Sequence, residues 1–217
     1  MLLLPPVSLG ALIFAYVAAR GLSPTDPATE SAVRAAVPVI IAVNHLALFG
    51  LLVWLLRRSG ETLVDIGWSL TRPDRTLAGE LAVGLLCGVG LYVLKETAVD
   101  PVRQLLAGET PTFTSLFRFR PSELDVALAA AATGVVFVEE SIYRGYALPF
   151  FAKRRGTVAA VAVTSLAFGP LHWGNGLEAI VFASVWGVLL AGIFLWRRNL
   201  VAGTIAHALY NFLVLLT

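Results

Sequence analysis

Residues 131–146 read Ala-Ala-Thr-Gly-Val-Val-Phe-Val-Glu-Glu-Ser-Ile-Tyr-Arg-Gly-Tyr, an apolar run that carries three charged side chains near its end. The apolar character extends over Leu124–Phe150, which is long enough to cross a bilayer, since a spanning helix needs about 20 such residues. A charge inside such a helix costs about 2.5–3.5 kcal/mol on insertion scales. The stretch therefore predicts a membrane helix whose charged residues are retained for function.

The composition of the whole chain supports a membrane protein. Of its 217 residues, 58% are hydrophobic and 14% are charged, and the mean hydropathy is +0.80. A soluble domain has about 25% charged residues, and a disordered chain has low hydrophobicity. Both classes are excluded. The net charge of +2 gives no indication of a nucleic-acid partner, and the single cysteine, Cys87, cannot form an internal disulfide.

We predict an all-α, polytopic helical membrane protein with about seven spans, or eight, and an active site among the last four. The chain is expected to form a single domain, 1–217, with its motif-bearing core in 124–217. The predicted spans are Leu2–Ala19, Ala35–Leu56, Ala78–Val99, Leu124–Phe150, Thr157–Leu171, Leu177–Trp196 and Leu200–Leu216.

Basic residues concentrate in the loops after the even spans. These residues are Arg57, Arg58, Arg72, Arg75, Lys153, Arg154, Arg155, Arg197 and Arg198. Basic loops stay on the cytoplasmic side of a membrane. We therefore expect a cytoplasmic N-terminus and an outside C-terminus, in the cell membrane of a bacterium or archaeon.

The charges of the fourth span fall into two groups. Glu140 and Arg144 are four residues apart, so they share a helix face and can form an ion pair. Glu139 is rotated by about 100° from Glu140 in an α-helix, towards the side of Tyr143. One carboxylate is thus expected to be paired, while its neighbour points elsewhere.

Two later helices carry polar side chains at a comparable depth. His172 ends the fifth span, and His207 and Asn211 share one face of the seventh. At about 1.5 Å per residue, Glu139, His172 and Asn211 lie about 20–24 Å from the neighbouring basic loops, and His207 about 14 Å. A single cavity could collect these groups.

Two chemistries fit such a cavity. Glu139 and His172 could hold a water for general-base attack, while His207 and Asn211 donate hydrogen bonds to the oxyanion of an amide undergoing hydrolysis. Alternatively, Glu139, His172 and His207 could hold a zinc ion that activates the water. The spacing does not separate these mechanisms, and both predict peptide hydrolysis.

Three motifs resemble those of a known family. Residues 139–144 match E-E-x-x-x-R, residues 168–172 match F-x-x-x-H, and residues 207–211 match H-x-x-x-N. In this order on successive helices they resemble the CPBP family, which comprises the CAAX proteases and the bacteriocin-processing or immunity (Abi) proteins. The resemblance covers the chain from Leu124 to the C-terminus.

The resemblance implies an intramembrane endopeptidase whose eukaryotic members remove the last three residues of prenylated CAAX proteins. It assigns water activation to Glu139 and His172, and the oxyanion site to His207 and Asn211. Glu140 with Arg144 would orient these groups. The family is often named as metalloproteases, although the Glu–His mechanism needs no metal; both remain open, and the metal-free chemistry is preferred. The expected partner is a membrane-associated peptide or protein.

The alternative is a non-enzymatic membrane protein, either a peptide-binding immunity factor or a small transporter. Buried ionisable groups also mark transport paths, and Asn44, His45, Lys95 and Glu96 are candidates for one. We prefer the simpler interpretation, a helix-packing polar pair at 44–45 and interface residues at 95–96.

Overall fold

The computed structural model describes residues 2–23, 27–70, 75–100, 102 and 134–216. Every regular element in these ranges is helical, and none is a β-strand. The first three helices are α1 (Leu4–Ala19), α2 (Pro27–Ser59) and α3 (Leu77–Leu94, continued by a π-helical turn at Lys95–Val99). Helix α4 consists of residues 134–140, a π-helical turn at Ser141–Ala147, and Leu148–Arg155. The last three are α5 (Thr157–Phe168, continued by a 3-10 segment at Gly169–Asn175), α6 (Leu177–Arg197) and α7 (Val201–Leu216).

Three stretches are long and apolar enough to span a membrane: Ala35–Ser59, Leu77–Val99 and Leu177–Arg197. Shorter apolar helices occupy Leu4–Ala19, Thr157–Trp173 and Val201–Val214. These six stretches correspond to six of the predicted spans. The first part of the remaining one, residues 124–133, lies outside the described residues, so the total of seven or eight stays a prediction.

Two helices extend beyond their predicted spans, although the apolar stretch of α2 begins at Ala35 as predicted. Helix α2 begins at Pro27, before Ala35. Helix α4 continues past Phe150 to Arg155. It ends at Gly156, whose φ of 81° is readily adopted only by a residue without a Cβ. Polar and basic residues extend a helix beyond its apolar part as readily as apolar ones do, so hydropathy underestimates the helix length.

Helices α3 and α7 pack closely through two glycines four residues apart. A Cβ on Gly84 would lie 2.6 Å from Cβ of Ile205, and one on Gly88 would lie 2.9 Å from the carbonyl oxygen of Ala206. Small residues at this spacing let two membrane helices approach until their backbones touch. Helix α3 thereby supports α7, the helix that carries His207.

The segment after α2 packs against the bundle. The carbonyl of Gly67 accepts a hydrogen bond from the backbone N–H of Leu200 at 2.9 Å, and the indole of Trp68 donates to Oγ of Ser141 at 2.8 Å. Ile66 is buried. This segment therefore connects the end of α2 with the middle of α4 and the start of α7.

A buried ion pair joins the start of α3 to the end of α6. Glu80 accepts hydrogen bonds from Arg197 at 3.1 and 2.5 Å and from Arg75 at 3.4 Å. Together with the packing of Gly67 on Leu200, this pair brings the basic ends of α2 and α6 to the same end of the bundle. Which side of the membrane this end faces stays a prediction.

Candidate active site

The two adjacent glutamates lie where α4 changes its winding. Glu139 and Glu140 end residues 134–140, and the next turn, Ser141–Ala147, is π-helical. The sequence predicted a regular α-helix here. Pro149 has no N–H to donate to the carbonyl four residues before it, which favours the wider turn. Such turns occur frequently at functional sites because they displace side chains from their α-helical positions.

Glu140 and Arg144 form the ion pair that their spacing predicts. Nη1 of Arg144 donates to Oε1 of Glu140 at 2.9 Å, and each residue is only 1% exposed. Nη2 donates to the carbonyl of Gly187 at 3.3 Å, and the guanidinium carbon lies 4.4 Å from the ring centre of Phe168. Pairing of this kind is what allows both charges to stay buried.

His207 reaches from α7 to both glutamates. Its Nδ1 lies 2.9 Å from Oε1 of Glu140. Since a carboxylate only accepts, Nδ1 carries the hydrogen. The other ring nitrogen, Nε2, lies 3.9 Å from Oε2 of Glu139. That distance is too long for a direct hydrogen bond, but it suits a water that contacts both atoms.

Glu139 is held by a residue from α2. It is 8% exposed, and its Oε1 lies 3.3 Å from Nε2 of His45. The same ring bonds through Nδ1 to the carbonyl of Ile41 at 2.8 Å. Sequence reasoning named His45 only as a packing or transport-path residue. The signal was present, because His45 is an ionisable residue inside an apolar span, like His172 and His207.

The neighbouring Asn44 does pack against α1, as the simpler interpretation expects. Oγ of Ser8 donates to Oδ1 of Asn44 at 2.6 Å, and its Nδ2 donates to the carbonyl of Pro5 at 3.4 Å. Asn44 and His45 therefore contact different helices. Asn44 joins α2 to α1, and His45 joins α2 to α4.

Lys95 and Glu96, the other candidates for a transport path, lie apart from this cluster. The ammonium of Lys95 contacts Oε1 of Glu96 at 2.6 Å and Oδ2 of Asp100 at 2.7 Å. All three residues belong to the C-terminal end of α3 and the position that follows it. They form an ion cluster at the end of α3, and their position at the membrane interface stays a prediction.

His172 joins the cluster from the 3-10 segment after α5. Its backbone leaves helical geometry, with φ −100° and ψ 15°, and its ring centre lies 5.3 Å from that of Phe168. Phe168 in turn lies 5.8 Å from the ring of His207. Glu139 and His207 both interact electrostatically with His172. Within the described chain its buried Nδ1 has no hydrogen-bond partner.

Asn211 lies one turn after His207 on α7 and is partly buried. No hydrogen bond joins it to Glu139, Glu140, His172 or His207 in the part of the chain that the structure describes. The structure thus brings together five of the six predicted site residues, namely Glu139, Glu140, Arg144, His172 and His207. It adds His45 and leaves the role of Asn211 a prediction.

The cluster does not resemble a metal shell. Among the described residues, no group of three or more histidine, cysteine or acidic side chains is arranged to hold a metal ion. The donors are paired with each other instead, His45 with Glu139 and His207 with Glu140. The shell of Glu139, His172 and His207 that the sequence left open is thus not assembled among the described residues, and the metal-dependent alternative stays a prediction.

The fold and the cluster together define a class of protein. It is an all-helical integral membrane protein in which carboxylates and imidazoles from four helices meet inside apolar surroundings. Residues 121–213 match the family model described as type II CAAX prenyl endopeptidase, Rce1-like. Over this segment the chain is similar to the CAAX protease family, in agreement with the resemblance that the three motifs carry, and that family is one of proteases.

The match covers fewer than half of the 217 residues. It contains α4 to α7 but leaves α1 to α3 outside, including His45. No curated protein and no solved structure matches the chain. The similarity to the family therefore rests on the segment that carries the three motifs.

Proposed function

We propose that the protein is an intramembrane endopeptidase that hydrolyses a peptide bond near the membrane with a water activated by Glu139 and His172. The observation that carries this proposal is the environment of the Glu139 carboxylate. Its Oε1 is occupied by His45 at 3.3 Å, whereas Oε2 faces Nε2 of His207 across 3.9 Å. One oxygen is held and the other is available to a water.

The chemical sequence follows from these positions. A water at Oε2 would transfer a proton to Glu139 while its oxygen attacks the peptide carbonyl carbon. His172 would hold the same water on its other side. When the tetrahedral intermediate collapses, the proton on Glu139 would pass to the amide nitrogen as the carbon–nitrogen bond breaks. Glu139 would then be regenerated as a carboxylate.

His207 is suited to stabilise the oxyanion of that intermediate. Its Nδ1 is bonded to Glu140 at 2.9 Å, so Nε2 is the ring nitrogen that faces Glu139. Nε2 would then donate to the developing negative charge. Asn211, four residues along α7, would be the second donor because both side chains project from one helix face.

The substrate proposed is a peptide or protein attached to the membrane. The site lies among apolar helices, so a substrate held in the bilayer arrives at the correct depth. The family description names CAAX prenyl endopeptidases, and prenylated C-terminal peptides are therefore the first substrates to test. Bacteriocin-like peptides, which the Abi branch of the resemblance suggests, are the second.

The test is cleavage of a vesicle-tethered peptide set by the purified full chain reconstituted in lipid. We expect cleavage by the wild type, and a loss of at least about 100-fold in kcat for Glu139→Gln and for His172→Ala. The matched control is Glu61→Gln, an exposed carboxylate outside the predicted spans, which should cleave like the wild type.

The outcomes separate the alternatives. If the wild type binds peptides without cleaving any, the protease proposal fails and the peptide-binding alternative is supported. If Glu139→Gln and His172→Ala cleave normally, the assignment of the water-activating pair fails. Repeating the assay with a chelator distinguishes the metal-dependent from the metal-free mechanism, and we expect activity to persist.

A further inference from the structure

His45 lies outside the three motifs and outside the matched segment, yet it lies within hydrogen-bond distance of Glu139. It is 5% exposed and lies in the middle of α2. Its Nε2 is 3.3 Å from Oε1 of Glu139, and the two residues are 94 positions apart in the chain. Ionisable side chains inside membrane helices are rare, and those that occur usually pair with one another or mark a functional site.

The hydrogen-bond partners of the His45 ring determine which nitrogen donates. The carbonyl of Ile41 can only accept, so Nδ1 at 2.8 Å must carry a hydrogen. The contact between Nε2 and Glu139 then needs a further hydrogen between the two groups, because a bare nitrogen and a bare carboxylate oxygen repel. The bond to Ile41 anchors the ring to α2, and Nε2 is left to hold the carboxylate.

Holding Oε1 fixes the rotation of the whole carboxylate. With Oε1 directed to α2, Oε2 is directed to His207 on α7 at 3.9 Å. Without His45, Glu139 could rotate about its terminal torsion, which is broad for this residue. The oxygen that receives the proton from water would no longer be held in one place.

We propose that His45 is a positioning residue that orients Glu139 for water activation from outside the motif-bearing segment. The proposal rests on the proposed function and adds a fourth helix, α2, to the elements that build the site. It assigns a role in the reaction to the first half of the chain.

The test compares two substitutions of similar bulk. His45→Gln keeps an N–H near the position of Nε2, whereas His45→Leu fills the space without a donor. We expect His45→Gln to retain kcat within about tenfold of the wild type. His45→Leu should lose about 100-fold in kcat, which is typical of a misplaced catalytic group, with KM unchanged within about threefold.

The matched control is Asn44→Ala, the adjacent buried polar residue, which bonds to α1 rather than to Glu139. It should lower the melting temperature and leave kcat unchanged within about threefold. If His45→Leu cleaves like the wild type, or if His45→Gln and His45→Leu lose kcat equally, the positioning role is contradicted. His45→Met replaces His45→Leu if the latter does not fold.

A second readout does not depend on turnover. The infrared carboxylate band of Glu139 should shift between His45→Gln and His45→Leu, and the shift should vanish when Glu139→Gln is added to both. If the wild type never cleaves a peptide but the shift is present, the proposed function fails and the contact stands. If the wild type cleaves and the shift is absent, the positioning role fails and the protease stands.

Discussion

His207 and Glu140 are joined by a contact of 2.9 Å between Nδ1 and Oε1, although 67 positions separate them in the chain. The same oxygen accepts the guanidinium of Arg144, also at 2.9 Å. Glu140 thus connects the end of the E-E-x-x-x-R motif to the start of the H-x-x-x-N motif. We therefore expect the buried ion pair to orient the imidazole that faces Glu139, a role that does not require Glu140 to touch the substrate.

Removing Arg144 should destabilise the protein strongly. In Arg144→Met the carboxylate of Glu140 stays buried without its guanidinium, and breaking a buried pair in this way costs about 3–5 kcal/mol. The double variant Glu140→Gln/Arg144→Met should recover much of that stability, because no unpaired charge remains buried. Its activity should stay low, because His207 no longer has a carboxylate as partner. The measurement is unfolding of the purified protein in detergent.

The control for this experiment is Arg154→Met at the exposed end of α4. Among the described residues, Arg154 bonds to the carbonyl of Phe150 at 3.0 Å and lies over its ring, so its loss should cost less than about 1 kcal/mol. Equal stability of Arg144→Met and Arg154→Met would contradict a structural role for the buried pair.

Gly88→Ala should loosen the contact between α3 and α7. The added methyl would lie 2.9 Å from the carbonyl oxygen of Ala206, so the two helices must separate. We expect a loss of about 1–3 kcal/mol from overpacking, together with reduced activity because α7 carries His207. Gly90→Ala is the control: nothing lies within 4 Å of its Cβ position, and alanine favours a helix by up to about 1 kcal/mol over glycine.

Thermal unfolding of Gly88→Ala and Gly90→Ala in the same detergent provides the comparison. A melting temperature that falls for the first variant and holds or rises for the second agrees with the packing. A rise in melting temperature for both variants would show that α3 and α7 are not in backbone contact at Gly88.

The hydrogen bond between Trp68 and Ser141 should couple the segment after α2 to the π-helical turn. The indole donates to Oγ of Ser141 at 2.8 Å, and that hydroxyl donates to the carbonyl of Phe137 at 2.7 Å. A double-mutant cycle with Trp68→Phe and Ser141→Ala should give a coupling free energy of about 0.5–1.5 kcal/mol. Phenylalanine keeps the ring that stacks on Phe137 at 4.3 Å.

Trp54→Phe serves as the reference for this cycle, because Trp54 is 52% exposed on the outer surface of α2. It should show no coupling to Ser141→Ala. A coupling near zero for Trp68 as well would mean that the hydrogen bond contributes nothing to stability.

Arg198 should be replaceable by glycine with a gain in stability. It ends α6 with φ 56° and ψ 25°, a left-handed conformation. Such a position favours glycine, since other residues pay about 1–2 kcal/mol there. Arg198→Gly is expected to raise the melting temperature and Arg198→Val to lower it. Arg155→Gly, in the regular last turn of α4, should be destabilising. A rise in the melting temperature for both glycine variants would contradict the left-handed conformation of Arg198 as the cause.

Spacing along single helices could be derived from the sequence. The ion pair of Glu140 with Arg144 follows from a separation of four residues, which places two side chains on one face whether the turn is α-helical or π-helical. The apolar helices follow from hydropathy, because a bilayer requires about 20 apolar residues per span.

Lateral arrangement could not be derived. All the helices are similarly apolar, so hydropathy does not say which helix lies beside which. Two contacts depend on neighbours far apart in the chain: that of His45 with Glu139 and that of Trp68 with Ser141 of α4. The close approach of Gly145 to the carbonyl of Ile66, where a Cβ would lie 2.8 Å away, likewise joins segments far apart in the chain.

The sequence by itself therefore determined that the protein lies in a membrane, that its regular structure is helical, and which polar residues are costly enough to matter. Those properties depend on composition and on spacing within one helix. Tertiary structure alone decided which of these residues meet, and it added His45 from a helix that the motifs do not include. The physical reason is that a buried polar group is stabilised by its partner, and the partner is chosen by packing between helices.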